Sequence, residues 1–451
     1  MRHQEKRVRV VIIGAGFAGI NAARELASAS VQVTLIDKKN HHLFQPLLYQ
    51  VALAGLSPAQ IAVPIRGILR STRNVEVLLE EVTDIQLSNR VVVIGERQIS
   101  YDFLIVAAGA RHSYFGNPQW EQNAPGLKTL EDALEIRRRI LLAFEIAELE
   151  ALTTGNRAPL NFVVIGAGPT GVELAGAISD MAKRSIVHDF RGIKTDQARV
   201  ILLEGGPRVL PNYPEDLSAS AEKQLREMGV EVHVNSLVSG IESDAVVVGN
   251  EKIHSAVVLW CAGVAASPLA KMLGAQVDRA GRVLVNPDLS VPGHEDVFVV
   301  GDLAAAKIEG GMVPAVAPAA IQMGQFVARQ IKHSLEGKPR EKFNYKNRGN
   351  MATIGVSRAV AEMGSLRFSG HFAWMAWAFI HLVALIGFQN RFMVLMEWIW
   401  SYFSFNRSAR LITVRPDSSV GLENPAKATD FVDPRRRTES EKEREAELAN
   451  S

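Results

Sequence analysis

Twice in this chain an apolar run ends in three glycines spaced to receive a pyrophosphate. Gly14, Gly16 and Gly19 follow Val8–Ile13, and Gly166, Gly168 and Gly171 follow Phe162–Ile165. In a strand, turn and helix, the first glycine permits the turn, the second lets the backbone approach phosphate, and the third lets helix pack on strand. The phosphates then lie at the positive end of the helix dipole. One such motif can exist for packing alone, whereas two with matching flanks predict two bound dinucleotides and electron transfer between them. Each site also needs an acid closing the next strand, to accept from ribose hydroxyls. Asp37 follows Val31–Ile36, and Glu204 follows Arg199–Leu203. Glu204 would repel the 2′-phosphate of NADP, favouring NADH, and Arg208 stands four residues on where it could soften that preference. Glu173 lies two residues past Gly171, on the first helical turn and directed along the cofactor cleft. It reads as a residue acting at the cleft, or as an acid favoured there by the helix dipole, worth ~0.3–1 kcal/mol.

The elements that must hold these residues are alternating strands and helices, an α/β pattern with parallel sheets. A third buried strand, Val297–Val300, ends in Gly301-Asp302, and Tyr101–Gly109 and Val257–Gly263 read as further sheet strands. Ser179–Gln197 inserts a charged stretch before the strand of the second unit returns. With 451 residues the chain has material for two or three domains with full cores. Its net charge of +2 gives no general case for a nucleic-acid partner. The amino-terminal residues are charged and run directly into a strand, so no secretory signal is expected. The single cysteine, Cys261, sits in an apolar strand, which excludes chemistry that needs a redox-active cysteine pair.

Two later segments are distinctive. Ala315–Leu335 reads as a helix opening on Ala317-Pro318-Ala319-Ala320, with Pro suited to a first turn and small residues that permit close approach to a ring system. Packing on a sheet accounts for the same composition. His371–Phe405 holds four of the six tryptophans: an apolar stretch at Phe372–Phe388, a break at Gln389-Asn390-Arg391, and a second apolar helix at Phe392–Phe405. With Arg367, Arg391, Arg407 and Arg410 around it, the segment reads as an anchor lying in a membrane interface. A buried helical hairpin at a dimer interface is the other reading, and the two can coexist. No run is long and clean enough for an ordinary membrane span.

The two fingerprints, the Gly301-Asp302 strand and the connecting strands resemble the two-dinucleotide-binding flavoprotein superfamily over nearly the whole chain. His41–Ala52 (HHLFQPLLYQVA), Ala317–Gln322 (APAAIQ) and His381–Leu395 (HLVALIGFQNRFMVL) narrow the resemblance to the type II NADH:quinone oxidoreductases. That resemblance implies a glutathione-reductase-like α/β fold of two Rossmann-like domains, the FAD domain split by the NAD domain, with a C-terminal helical membrane-binding region. It implies FAD contacts at Gly14, Gly16, Phe17, Ala18, Gly19, Asp37, Lys38, Val82, Ala108, Gly109, Asp302 and Ala319. NADH is expected at Gly166, Gly168, Gly171, Glu173, Glu204 and Gly263, with Glu173 beside nicotinamide and flavin. A quinone is expected at Gln322, Ala320, Tyr49 and Gln50. Family members carry an Ala-Gln-x-Ala-x-Gln-like signature; here Pro318 replaces its first Gln while Ala317, Ala320 and Gln322 are kept.

The expected organisation is residues 1–120 and 296–345 for FAD, 121–295 for NADH, 346–415 for anchoring and dimerisation, and a polar, disordered tail over 416–451. The expected activity is hydride transfer from NADH to FAD, then two electrons to a membrane quinone (ubiquinone or menaquinone), without proton pumping. The expected setting is the cytoplasmic face of the cell membrane, held peripherally through residues 371–410, as a homodimer. A soluble NADH:ferredoxin or rubredoxin reductase would share both fingerprints but would not need His371–Phe405, and a redox-sensing NADH- and FAD-binding protein would turn over only slowly.

Overall fold

The computed structural model describes residues 7–157, 160–308, 311–404, 407 and 409–412; the tail assigned to 416–451 lies outside the described residues. In chain order the elements that build the site begin with β1 (Val8–Ile13), α1 (Phe17–Glu25), β2 (Val31–Asp37), α2 (Leu48–Ala52), β3 (Val75–Leu79) and β4 (Phe103–Val106). A long helix α3 (Leu130–Thr154) leads into β5 (Asn161–Ile165), α4 (Pro169–Asp180), β6 (Arg199–Leu203), β7 (Val230–His233) and β8 (Val257–Trp260). Then come β9 (Ser290–Val291), β10 (His294–Val299), α5 (Ala317–Leu335), the strands β11 (Asn350–Gly355), β12 (Arg358–Met363) and β13 (Leu366–Ser369), and the helices α6 (His371–Ala384) and α7 (Phe388–Ser404).

Two sheets carry the two fingerprints. The first has the order β9-β10-β4-β1-β2-β3, and the second β7-β6-β5-β8. β1 pairs in parallel with both β2 and β4, and β5 with both β6 and β8. These strands are near-continuous apolar runs because a parallel sheet is covered on both faces; Val10, Ile12, Val33, Leu35, Leu104 and Ile105 are all buried. In each sheet the strand order reverses beside the fingerprint strand, which opens a crevice at its carboxyl end.

The third glycines act as expected. A Cβ on Gly19 would overlap the carbonyl oxygen of Gly14, and one on Gly171 that of Gly166. Two more glycines set the docking of later elements. Gly324 of α5 lies against the Ala18 carbonyl of α1, and Gly176 of α4 against the Ile354 carbonyl of β11, each too close for any side chain. One apolar core then runs from α2, α3 and α4 through β11 and β12 to Trp377, Leu385 and Val394, so the C-terminal elements share the core of the second sheet.

The break between the two apolar helices differs from the expected one. Gln389-Asn390-Arg391 lies inside the first turns of α7, and the chain turns at Leu385–Gly387 instead, with Gly387 at φ 91°. Arg391 Nε donates to the Leu385 carbonyl at 2.7 Å, so a residue read as a breaker secures the end of α6. Among the described residues, α6 buries only Ala373 and Trp377, and α7 only Val394. Phe372, Phe379, Phe388 and Phe403 are 77%, 69%, 84% and 78% exposed, and among the described residues no helix is long and apolar enough to cross a membrane.

Candidate active site

The two fingerprint turns close on their acids in the same way. Asp37 Oδ2 accepts from Ala15 N–H at 2.6 Å and Oδ1 from Lys39 N–H at 2.7 Å. Glu204 Oε2 accepts from Ala167 N–H at 2.7 Å and Oε1 from Gly206 N–H at 2.8 Å. Neither α1 nor α4 has a side-chain cap, so the N–H groups of each first turn face the mouth of the crevice. A Cβ on Gly16 or Gly168 would meet no atom within 4 Å, although every other glycine of the two loops is crowded. Each loop is therefore a cradle with room in front of its second glycine and donors turned toward that room, which fits a pyrophosphate.

Several of the expected FAD residues stand where strands of the first sheet end. Ala108 and Gly109 (φ 65°) follow β4, and Lys38 pairs with Glu81 at 3.3 Å beside Val82. Phe17 packs edge-on against His42, with ring centroids 5.0 Å apart. Asp302 lies in the turn Gly301–Leu303 after β10, with Lys128 Nζ 3.8 Å away. A Cβ at Gly301 would lie 3.6 Å from Ala320 and 3.7 Å from Ala18, so the start of α5 joins this mouth, with Ala319 buried beneath.

His42 belongs to the same mouth and was not singled out from the sequence. Its Nδ1 lies 2.9 Å from the Ala15 carbonyl, and its Nε2 is buried with no partner. Burial pushes its pKa down, so the ring is neutral; Nδ1–H then donates to Ala15, and Nε2 is left as an acceptor.

At the second mouth Gly263 (φ 88°) has no room for a side chain because the Phe115 ring covers it. Arg208 is engaged by its own loop, donating to Pro211 O at 2.7 Å and Tyr213 O at 2.9 Å, so those donors are occupied in this structure. The Cys261 Cβ packs against Gly171, and burial pushes the thiol up to about 12, so it stays a neutral thiol.

Glu173 marks where the second mouth meets the C-terminal elements. Burial pushes its carboxyl up to about 8, against a hydrogen bond from the Thr353 N–H that favours the charged form. It lines a narrow cavity of about 90 Å³ together with Tyr49 and Gln50 of α2, Ala177 and Asp180 of α4, Thr353–Val356, Trp374 and Trp377 of α6, Trp398 and Tyr402 of α7, and Arg407. Three of the expected residues, Tyr49, Gln50 and Glu173, thus converge. Ala320 and Gln322 stand outside this cavity: Gln322 pairs with the backbone of Lys346, Nε2 donating at 3.0 Å and Oε1 accepting at 2.9 Å. Trp377, Trp398, Arg407, Asp180 and Thr353 were not anticipated as site residues. The tryptophans were conspicuous in sequence, but their helical spacing does not reveal which ring turns inward.

Two phosphate cradles on two parallel sheets, with a protonatable acid between the second cradle and an aromatic cavity, define an FAD- and pyridine-nucleotide-dependent oxidoreductase. Residues 8–324 match the pyridine nucleotide-disulphide oxidoreductase family, and residues 347–407 match the NDH2 C-terminal domain. The chain is 47% identical to the type II NADH:quinone oxidoreductase NdhA of Mycobacterium tuberculosis over 425 residues, and 46% identical to Ndh of the same organism over 424. The NdhA alignment covers 90% of each chain. In fold it superimposes on NDH2 of Plasmodium falciparum in complex with NADH with a TM-score of 0.81 at 18% identity, covering 91% of this chain and all of that one. The chain belongs to the type II NADH:quinone oxidoreductases.

Proposed function

We propose that this protein oxidises NADH and delivers two electrons through FAD to a membrane quinone in the cavity lined by Tyr49, Gln50 and Glu173, without pumping protons. The observation that carries this reading is that cavity: the C-terminal elements close over the second fingerprint helix and bring an apolar, aromatic pocket to Glu173. A soluble ferredoxin reductase would have no use for such a pocket, nor for the exposed phenylalanines of α6 and α7. Bound FAD supplies hydride acceptance and electron delivery, which no side chain here can perform.

The chain's own residues do the rest. Backbone N–H groups of the two loops hold pyrophosphates, and Asp37 and Glu204, seated on their loop N–H groups, have lone pairs to accept from ribose hydroxyls. Fixing both nucleotides in this way aligns the reacting rings, an advantage of several kcal/mol. Glu173, protonated at neutral pH, holds a proton at the cavity wall, where reduction of a quinone takes up two. The assignment of Asp302 and Ala319 to FAD and of Gly263 to NADH is supported by the turn after β10, the start of α5 and the covered glycine after β8. The assignment of Gln322 and Ala320 to the quinone rests on the resemblance alone.

The same proposal places the protein on the cytoplasmic face of the membrane, α6 and α7 lying in the interface with their exposed phenylalanines in the acyl boundary. A homodimer formed through the same C-terminal region completes it. The test is anaerobic NADH oxidation by FAD-loaded protein with and without a short-chain ubiquinone. Rapid turnover only with quinone is the expected result, and flavin that NADH reduces but quinone fails to reoxidise would refute it.

A further inference from the structure

Three side chains in the cavity form a hydrogen-bonded chain with one direction. Trp398 Nε1 donates to Gln50 Oε1 at 2.8 Å, and Gln50 Nε2 donates to Tyr49 Oη at 2.8 Å. An indole nitrogen can only donate, so the Gln50 atom facing it must be the oxygen. The Gln50 amino group then faces Tyr49, and the Tyr49 hydroxyl must accept. Its own hydrogen is left to be donated elsewhere, and among the described residues no acceptor is placed against it. Tyr49 and Gln50 belong to α2 in the first half of the chain, and Trp398 to α7, more than 300 residues later. Arg407 supports the same geometry by donating to the Leu53 carbonyl just past α2 at 2.9 Å.

We propose that Trp398, acting through Gln50, is a positioning residue that commits the Tyr49 hydroxyl to donate a hydrogen bond to the carbonyl oxygen of the electron acceptor. This rests on the reading of the cavity as the quinone site. It gives the C-terminal helices a part in the chemistry: α7 sets the polarity of a donor on α2. It also makes the site selective for acceptors that carry a carbonyl oxygen over electron acceptors that need no hydrogen bond.

The test compares short-chain ubiquinone with ferricyanide as acceptor, using FAD-loaded protein and reading the ratio of the two turnover rates. Trp398→Phe keeps the ring and removes the N–H, freeing the Gln50 amide to turn its oxygen toward Tyr49. Gln50→Glu keeps the size but makes an acceptor at both ends, so that Tyr49 donates to it. Each is expected to lower the quinone-to-ferricyanide ratio about tenfold, the worth of one well-placed hydrogen bond. In a Tyr49→Phe background, neither should lower it further. An equal fall in both backgrounds would make Trp398 a packing residue and overturn the proposal, as would an unchanged ratio in all three single variants. Ala177→Phe, which fills the cavity from α4, separates the two levels of the argument. Quinone turnover lost in Ala177→Phe but kept in the other variants sinks only the positioning role; quinone turnover kept in Ala177→Phe sinks the cavity reading itself.

Discussion

Replacing Glu173 with Gln should make the protein more stable as it makes it a worse enzyme, and the gain should depend on pH. Burial lifts this carboxyl from its ordinary 4.5 to about 8 in the folded state. Between those values the folded protein keeps a proton that the unfolded chain has released, so stability declines as pH rises through the window and levels off above about 8. At ~1.4 kcal/mol per pKa unit the upper bound is about 3 kcal/mol at pH 7 and about 5 kcal/mol above pH 8. Glu173 is partly open to the cavity, which reduces this to ~1–2 kcal/mol. Gln cannot titrate, so the variant loses the decline. With ~2 cal/mol/K of unfolding entropy per residue in a chain of 451 residues, the gain corresponds to ~1–2 °C in Tm. Calorimetry of FAD-loaded wild type and Glu173→Gln from pH 5 to pH 9 is the assay, with quinone turnover measured on the same samples. The Tm difference should be near zero at pH 5, grow through neutrality and flatten above pH 8, while turnover falls at every pH. A Tm difference that stays constant across the range would show that Glu173 titrates alike in both states, and would remove it as a proton-holding group.

The two kinds of glycine in the second fingerprint should separate cleanly. Gly168→Ala meets no atom of the protein and should fold normally while raising the KM for NADH at least tenfold, whereas Gly171→Ala collides with the Gly166 carbonyl and should lower Tm. Because Arg208 is held by Pro211 and Tyr213, Glu204→Gln alone should weaken NADH use by about tenfold and yield little NADPH activity; efficient use of NADPH by that variant would contradict the assignment. Phe388→Asp combined with Phe403→Asp should abolish co-sedimentation with anionic vesicles, each exposed ring being worth ~1.5–3 kcal/mol on burial; undiminished sedimentation would reject the interfacial anchor. Gln322→Ala loses two hydrogen bonds to Lys346 and should cost ~1–2 kcal/mol of stability; if the quinone KM is also unchanged, Gln322 has no part in the acceptor site.

Much of this protein is determined by local sequence. Glycine spacing, apolar runs and a following acid are short-range signals, each tied to one strand and one turn, so both cradles and the pairing of Asp37 and Glu204 with them were legible from the chain. The absence of a cysteine pair excluded disulfide chemistry by composition alone. What the tertiary structure decided are relations between distant segments. Gly176 looks like any small helical residue until Ile354 is packed against it; β11 then carries Thr353 to Glu173, whose carboxyl burial pushes up. Helical spacing could not say that Trp398 would turn inward to Gln50 while Trp400, two residues on, faces out, because that choice is made by the core the helix covers. Arg208 and Gln322 carried donors suited to a ligand, and the fold spent those donors on nearby backbone carbonyls. A side chain's type and neighbours in sequence set what it can do; the free energy of satisfying its polar groups on folding determines what it is left free to do.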